Sequence, residues 1–213
     1  MCDRLLQTYQ GRDGLIKTMG YAFMLCGGVT DKGVKKRFQI LSKEMSHCRV
    51  ILRLLDDWPM LKYNLQYGLG KPEEDQLLRA VSVIKNIADQ LFFPVEHLAW
   101  LADKRIVRTR HTNRLWVASK FLWAFSLYCG CLKAVRTLNA LQRKQGELRR
   151  ETAEIRRAKA QQVLSLTIST LNLINAISWL PEGVLWAGKL KVWHNGAVGL
   201  LASLLGLFQL IVK

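Results

Sequence analysis

The sequence predicts an all-α, membrane-associated helical bundle, with amphipathic helices in its N-terminal half and transmembrane helices in its C-terminal half. Three observations carry this. Strand signals are nearly absent, while apolar residues recur at steps of three and four along most of the chain. The 21 residues Val192 to Val212 hold no charged side chain and are bracketed by Lys191 and Lys213. At ~1.5 Å per residue, such a helix matches the hydrocarbon thickness of a bilayer. Third, the chain is strongly basic, with 32 Lys and Arg against 16 Asp and Glu and a net charge of +16. Residues 1–114 carry a balance of +7, and residues 115–213 carry +9. The more hydrophobic part is thus the more basic one, which favours an anionic lipid partner over nucleic acid.

The sequence divides into an amphipathic region over 1–111 and a membrane region over 112–213. A first helix is expected over Asp3 to Cys26, interrupted around Gly11–Gly14 and stopped by Gly27-Gly28. The second, Lys32 to Asp57, has the cleanest pattern. Val34, Phe38, Leu41, Met45, Cys48, Leu52 and Leu55 follow at alternating steps of four and three. At 100° per residue they form a stripe about 100° wide. Lys35, Lys36, Lys43 and Arg53 lie off the stripe, and Arg37 and Arg49 flank it. Trp58-Pro59 is expected to end this helix. Pro72 is expected to open a third helix, with Glu73, Glu74 and Asp75 at the positive end of its dipole. Leu77, Val81, Ile84, Ala88, Leu91, Val95 and Leu98 repeat the four-three spacing, and Pro94 is expected to kink or break the run. On pattern, the Val34–Leu55 stripe packs against Leu77–Leu98 in a bundle, or lies in one leaflet of a membrane.

The membrane region opens after the basic stretch Lys104–Arg114. A span is expected near 115–132 (Leu115–Leu132), where Trp116 and Trp123 suit an interface and Lys120 can snorkel. A basic helix follows over 133–159, with nine basic and three acidic residues. The helix over 160–180 is uncharged but rich in Ser, Thr and Asn, which suits packing against other helices more than facing lipid. Trp179, Trp186 and Trp193 precede the last span near 192–212, as an interface belt requires. In that span, Gly199 with Ser203 and Ala202 with Gly206 are small-xxx-small pairs that permit close helix approach. Basic clusters flank Leu115–Leu132 on both sides, so charge asymmetry favours neither orientation.

No catalytic constellation emerges. His47, His97, His111 and His194 are scattered, and His47-Cys48 lacks further ligands at metal spacing. Glu96-His97 are adjacent helix positions pointing about 100° apart, so they read as a surface or capped pair. Asp56-Asp57 reads as local charge beside Arg53. There is no phosphate-binding glycine motif and no nucleophile elbow. The reading is a non-enzyme with no cofactor, no metal and no nucleic acid. Cys2, Cys26, Cys48, Cys129 and Cys131 read as reduced thiols, with S-acylation conceivable at Cys129 and Cys131. The first ten residues lack the apolar core of a signal peptide.

Several stretches together resemble the peroxin-eleven family of peroxisomal membrane proteins, and its gamma branch in particular. They are Thr8–Tyr21 (TYQGRDGLIKTMGY), Ser46–Leu61 (SHCRVILRLLDDWPML), Gln66–Asp75 (QYGLGKPEED), Ile87–Asp103 (IADQLFFPVEHLAWLAD) and Asn175–Gly188 (NAISWLPEGVLWAG). The likeness runs from about Tyr9 to Gly188 and is weakest over Lys133–Gln162. It implies a multi-pass protein of the peroxisomal membrane that promotes protrusion, elongation and fission. It also implies homo-oligomers, hetero-oligomers with sister isoforms, and cooperation with the organelle fission machinery. The amphipathic helix that the family uses matches Lys32–Asp57 best. The rival readings are a metabolite channel lined by the polar face of Ala160–Pro181, and a soluble basic module.

Overall fold

Three helices begin where a side chain, Thr8, Asp75 or Thr152, accepts from their orphan amides. The computed structural model describes residues 2–70, 73, 75–148 and 152–212. Within these, every regular element is helical. Helix α1 (Cys2–Gln7) stops at Thr8, whose hydroxyl accepts from the Gly11 N–H and caps α2 (Tyr9–Val29). The break therefore falls at Thr8 rather than around Gly11–Gly14, and α2 runs on through Gly27-Gly28. Those glycines are buried or half-buried in helix contacts instead of ending the helix.

Helix α3 (Lys32–Leu52) passes through a short 3₁₀ turn, Arg53–Leu55, into α4 (Asp57–Tyr67). Pro59 does not stop the chain, because it falls in the first turn of α4, where no intrahelical N–H is needed. Gly68, at φ 56°, closes α4. Helix α5 (Gln76–Asp103) is capped by the Asp75 carboxylate, which accepts from the N–H groups of Leu77 and Leu78. The expected start at Pro72 lies outside the described residues. Pro94 is carried inside a single assigned helix. Helix α6 (Thr112–Leu148) joins the expected span and much of the basic stretch into 37 residues. At about 55 Å it is far longer than a bilayer core is thick. Helix α7 (Ala153–Ser178) takes the rest of the basic stretch together with the polar helix, and α8 (Val192–Val212) is the uncharged segment.

Packing follows a continuous row: α3 on α2, α2 on α8, α8 on α7, α7 on α6 and α6 on α5, with α4 laid along α5. The end of α3 meets α5 and brings the row back on itself. Antiparallel pairing of α2 and α8 is explicit. Gly14 faces Leu207 near one end, and Gly28 faces Trp193 near the other. Helix α2 therefore lies along most of the length of α8. The expected contact between the α3 stripe and Leu77–Leu98 is replaced by a contact with α2. Gly20 and Gly27 of α2 let α3 approach to where Met45 and Phe38 sit, and Phe38 stacks on Phe23 with ring centroids 6.1 Å apart.

The distribution of polarity is inverted relative to a soluble bundle. The buried apolar residues are mostly alanine, and Ser82, Ser119, Ser126, Asn172 and Asn175 are buried beside them. Asn175, wholly inaccessible, accepts from the Trp179 indole at 2.8 Å and donates to the Asn195 carbonyl of α8 at 3.4 Å. Large apolar side chains point outward instead. Leu77, Ile84, Leu91 and Leu98 of α5, Phe121, Phe125 and Leu132 of α6, and Leu201, Leu204 and Phe208 of α8 are all exposed. Outward apolar ridges over an interior of small and polar side chains suit helices packed in lipid.

Candidate functional site: an outer amphipathic helix and a charged interior cavity

The sequence-predicted face of α3 separates into two lines once the helix docks. Phe38 and Met45 turn toward α2, with Ser42 buried between them. Cys48 and Leu52 are half-buried. Val34, Leu41 and Leu55 stay exposed, and Ile40 and Ile51 join them outside. The cations divide as well. Lys35, Lys36, Arg37 and Lys43 are exposed on the outer side. Arg49 and Arg53 turn inward: Arg49 makes two bonds to Asp13 at 2.8 and 3.0 Å, and Arg53 makes two to Glu96 at 2.8 and 2.7 Å. A planar guanidinium meeting a carboxylate through two parallel bonds is the strongest such geometry, and it holds both arginines off the surface.

Glu96 and His97 are both buried, with separate partners, so they are not a surface pair. Glu96 takes Arg53, while His97 Nδ1 lies 2.8 Å from Asp57 Oδ2. Asp56 accepts from the Tyr9 hydroxyl at 2.8 Å, and its partial burial pushes its carboxyl up. At the opposite end of α5, the Arg136 guanidinium, together with the Leu77 and Leu78 amides, holds Asp75 below the usual carboxylate range.

The Arg49, Arg53 and Asp56 pairs border a cavity of about 540 Å³, to which α2, α3, α5 and α6 contribute, with Trp179 just past the end of α7. Lys17, Arg49, Arg53 and Lys120 reach it from the cationic side, and Asp13, Asp56, Asp89 and Glu96 from the anionic side. Asp89 is bound by Lys85 and by the Ser126 hydroxyl. Lys17 Nζ donates to the amide oxygen of Asn172 at 2.9 Å. Trp116, Trp123 and Trp179 complete the wall. Sequence reasoning missed this site because its charges come from separate helices. The signal that could have found it is the glycine spacing on α2. Gly20 and Gly27, seven apart, make one groove, and Gly14 and Gly28, fourteen apart, make another. That helix must therefore pack on two sides and turn Asp13 and Lys17 inward.

In α8, Gly199, Ala202 and Ser203 are buried. A side chain at Gly199 would run into the Tyr21 ring of α2, whereas Gly206 has nothing within 4 Å of where its Cβ would stand. No group of three metal-ligating side chains occurs among the described residues. Two helices are long and apolar enough to cross a membrane, one within Thr112–Glu147 and the other Val192–Val212.

The sequence pattern of the family described as Peroxisomal biogenesis factor 11 (PEX11) matches residues 2–211. The chain belongs to this family. Peroxisomal membrane protein 11C of Homo sapiens is 42% identical over 222 aligned residues, covering 96% of this chain and 90% of that protein. Peroxisomal membrane protein 11C of Mus musculus is 37% identical over 221, covering 97% and 91%. No solved structure matches. The family is described as a biogenesis factor.

Proposed function

We propose that this chain is a multi-pass protein of the peroxisomal membrane that drives protrusion, elongation and division of the organelle. Relatives named as peroxisomal membrane proteins support the location. The observation that carries the mechanism is the outer side of α3. Val34, Leu41 and Leu55 stand exposed beside exposed Lys35, Lys36, Arg37 and Lys43. Such a helix lies in one leaflet, inserted by roughly 5–10 Å and attracted by anionic headgroups, and it expands that leaflet relative to the other. Docking on α2, itself locked to α8, ties the wedge to the anchor. Copies that associate with themselves or with sister isoforms concentrate the curvature, and fission proteins act on the resulting tubule.

The test is reconstitution of the full chain into acidic liposomes. Val34→Glu with Leu41→Glu is expected to abolish tubulation while the protein stays in the carbonate-resistant pellet. Unchanged tubulation would remove α3 from the mechanism. Phe38 is a poor choice for this purpose, because it packs over Gly27 and a charge there would undock the helix. A second reading is a metabolite channel, favoured by the charged cavity rather than by the polar face of α7 alone. Conductance in a planar bilayer decides it.

A further inference from the structure

We infer that the interior cavity is a binding site for one amphipathic oxyanion, with Lys17 and Lys120 taking a carboxylate or phosphate head and the indoles of Trp116 and Trp123 taking its apolar body. The inference does not rest on membrane remodelling. It begins from the pairing around the cavity. Arg49 and Arg53 are each satisfied by a carboxylate through two bonds, and Asp89 by Lys85 and Ser126. Two ammonium groups and one carboxylate remain, and the carboxylate, Asp56, accepts from the Tyr9 hydroxyl, so the cationic side is in excess by one. Lys17 is half-buried and donates to Asn172, a neutral amide. Lys120 is half-buried on α6, and no salt bridge is formed by it among the described residues.

Removing an ammonium from water is costly unless an opposite charge meets it, and an amide dipole meets it only in part. Both lysines line the same cavity, so one oxyanion placed there supplies what both lack. The remaining lining explains why a bare ion is not the best fit. Trp116 and Trp123 stand about two turns apart on α6, with Lys120 between them in sequence, and both face the cavity. A volume of about 540 Å³ lies within the ~300–1,000 Å³ of sites that enclose a small organic molecule. The shared chemistry is an oxyanion head. Its source is either an anion carried in the bilayer or a soluble one, and the two separate experimentally.

The probe is 9,10-dibromostearate, whose bromines quench nearby indoles. It is titrated into the full chain in phosphatidylcholine nanodiscs. Quenching is expected to saturate, with the apparent Kd rising about tenfold in Lys17→Gln and in Lys120→Gln, as for loss of a charge-assisted hydrogen bond. Lys17→Arg, which keeps the charge, is expected to retain binding, as is Lys36→Gln on the outer face of α3. The methyl ester of the same acid is expected to give only unsaturable quenching. Displacement of the probe by millimolar inorganic phosphate would assign the head group site to a soluble anion, and resistance to phosphate would assign it to a bilayer-borne one. The assignment is overturned if the parent does not saturate, if the ester binds as the acid does, or if both glutamine variants bind like the parent. Tubulation by the same variants reads the remodelling mechanism separately.

Discussion

Helices α3 and α8 are the same length, 21 residues each, and both pack against α2, yet they are held in different ways. Where α8 crosses α2, backbone lies almost on backbone. A Cβ at Gly196 would stand 2.5 Å from the Leu25 amide nitrogen, and one at Gly28 would run into Trp193. Where α3 crosses α2, side chains intervene. A Cβ at Gly20 or Gly27 would meet the Cβ of Met45 or Phe38 at 3.2 Å. The first contact has no slack, and the second is looser, since the neighbouring helix needs to give by only a few tenths of an ångström. The sequence contrast matches: α8 is uncharged, while α3 carries Lys35, Lys36, Arg37 and Lys43 outward. Between them, α2 holds both helices through two glycine grooves about 100° apart around its axis.

The largest expected effect attacks the tighter contact. Gly196→Leu places four carbons where the Leu25 backbone stands, and overpacking against a backbone that cannot shift costs about 3 kcal/mol or more. Thermal unfolding of the purified chain in detergent should show loss of the folded state. Gly20→Leu on the α3 side should instead leave α2 on α8 and release α3, read as faster amide exchange confined to Lys32–Leu52. Equal damage from both variants would break the contrast. Gly206→Ala in the same span is the control. It meets no neighbour within 4 Å and should be neutral or stabilising by up to ~1 kcal/mol.

Next is the ion pair that fastens α3 to α2. Asp13→Asn leaves Arg49 partly buried without its carboxylate and is expected to cost about 2–3 kcal/mol, less than a fully buried pair because each partner keeps about a fifth of its side chain exposed. Adding Arg49→Met should recover most of that loss. A double-mutant cycle measures the coupling, and additive losses would mean that the pair holds nothing.

Much of the architecture was legible because hydrophobic periodicity and uncharged length report helices directly. Val192–Val212 was read to the residue, since lysines and a sharp change in polarity bound it. The Asp75 cap of α5 was less legible, because a local bond decides it: the carboxylate accepts from two amides, and no hydrophobic pattern reports such a bond. Pro59 was read as a stop because its position within a new helix is invisible until α4 exists. The site was less legible. In the sequence pattern Arg53 lies off the α3 stripe as Lys35 and Lys43 do, and Arg49 flanks it as Arg37 does. Only the positions of Asp13 and Glu96, 36 and 43 residues away, turn the two arginines inward. Glycines on α2 look like helix breakers in sequence, and they act as contact surfaces because another helix supplies what they lack.

The smallest expected effect lies at the rim, far from both α2 grooves. Asp75 caps α5 and accepts from Arg136 Nε of α6 at 2.6 Å, with both side chains substantially exposed. Its folded pKa lies below the unfolded value of about 3.9. The sign follows from linkage: the carboxylate stabilises the fold fully above the unfolded pKa, and the contribution is lost as pH falls through the lower folded value. Unfolding of the parent should therefore become slightly easier between about pH 4 and the lower folded value, and Asp75→Asn should remove that part of the acid slope while keeping much of the cap, since asparagine also caps helices well. Salt should weaken the effect, because an exposed pair is screened. If Asp75→Asn instead lowers stability as much as Asp13→Asn does at neutral pH, the rim is as critical as the α2 interface. The division between a fixed core contact and adjustable outer ones would then be drawn in the wrong place.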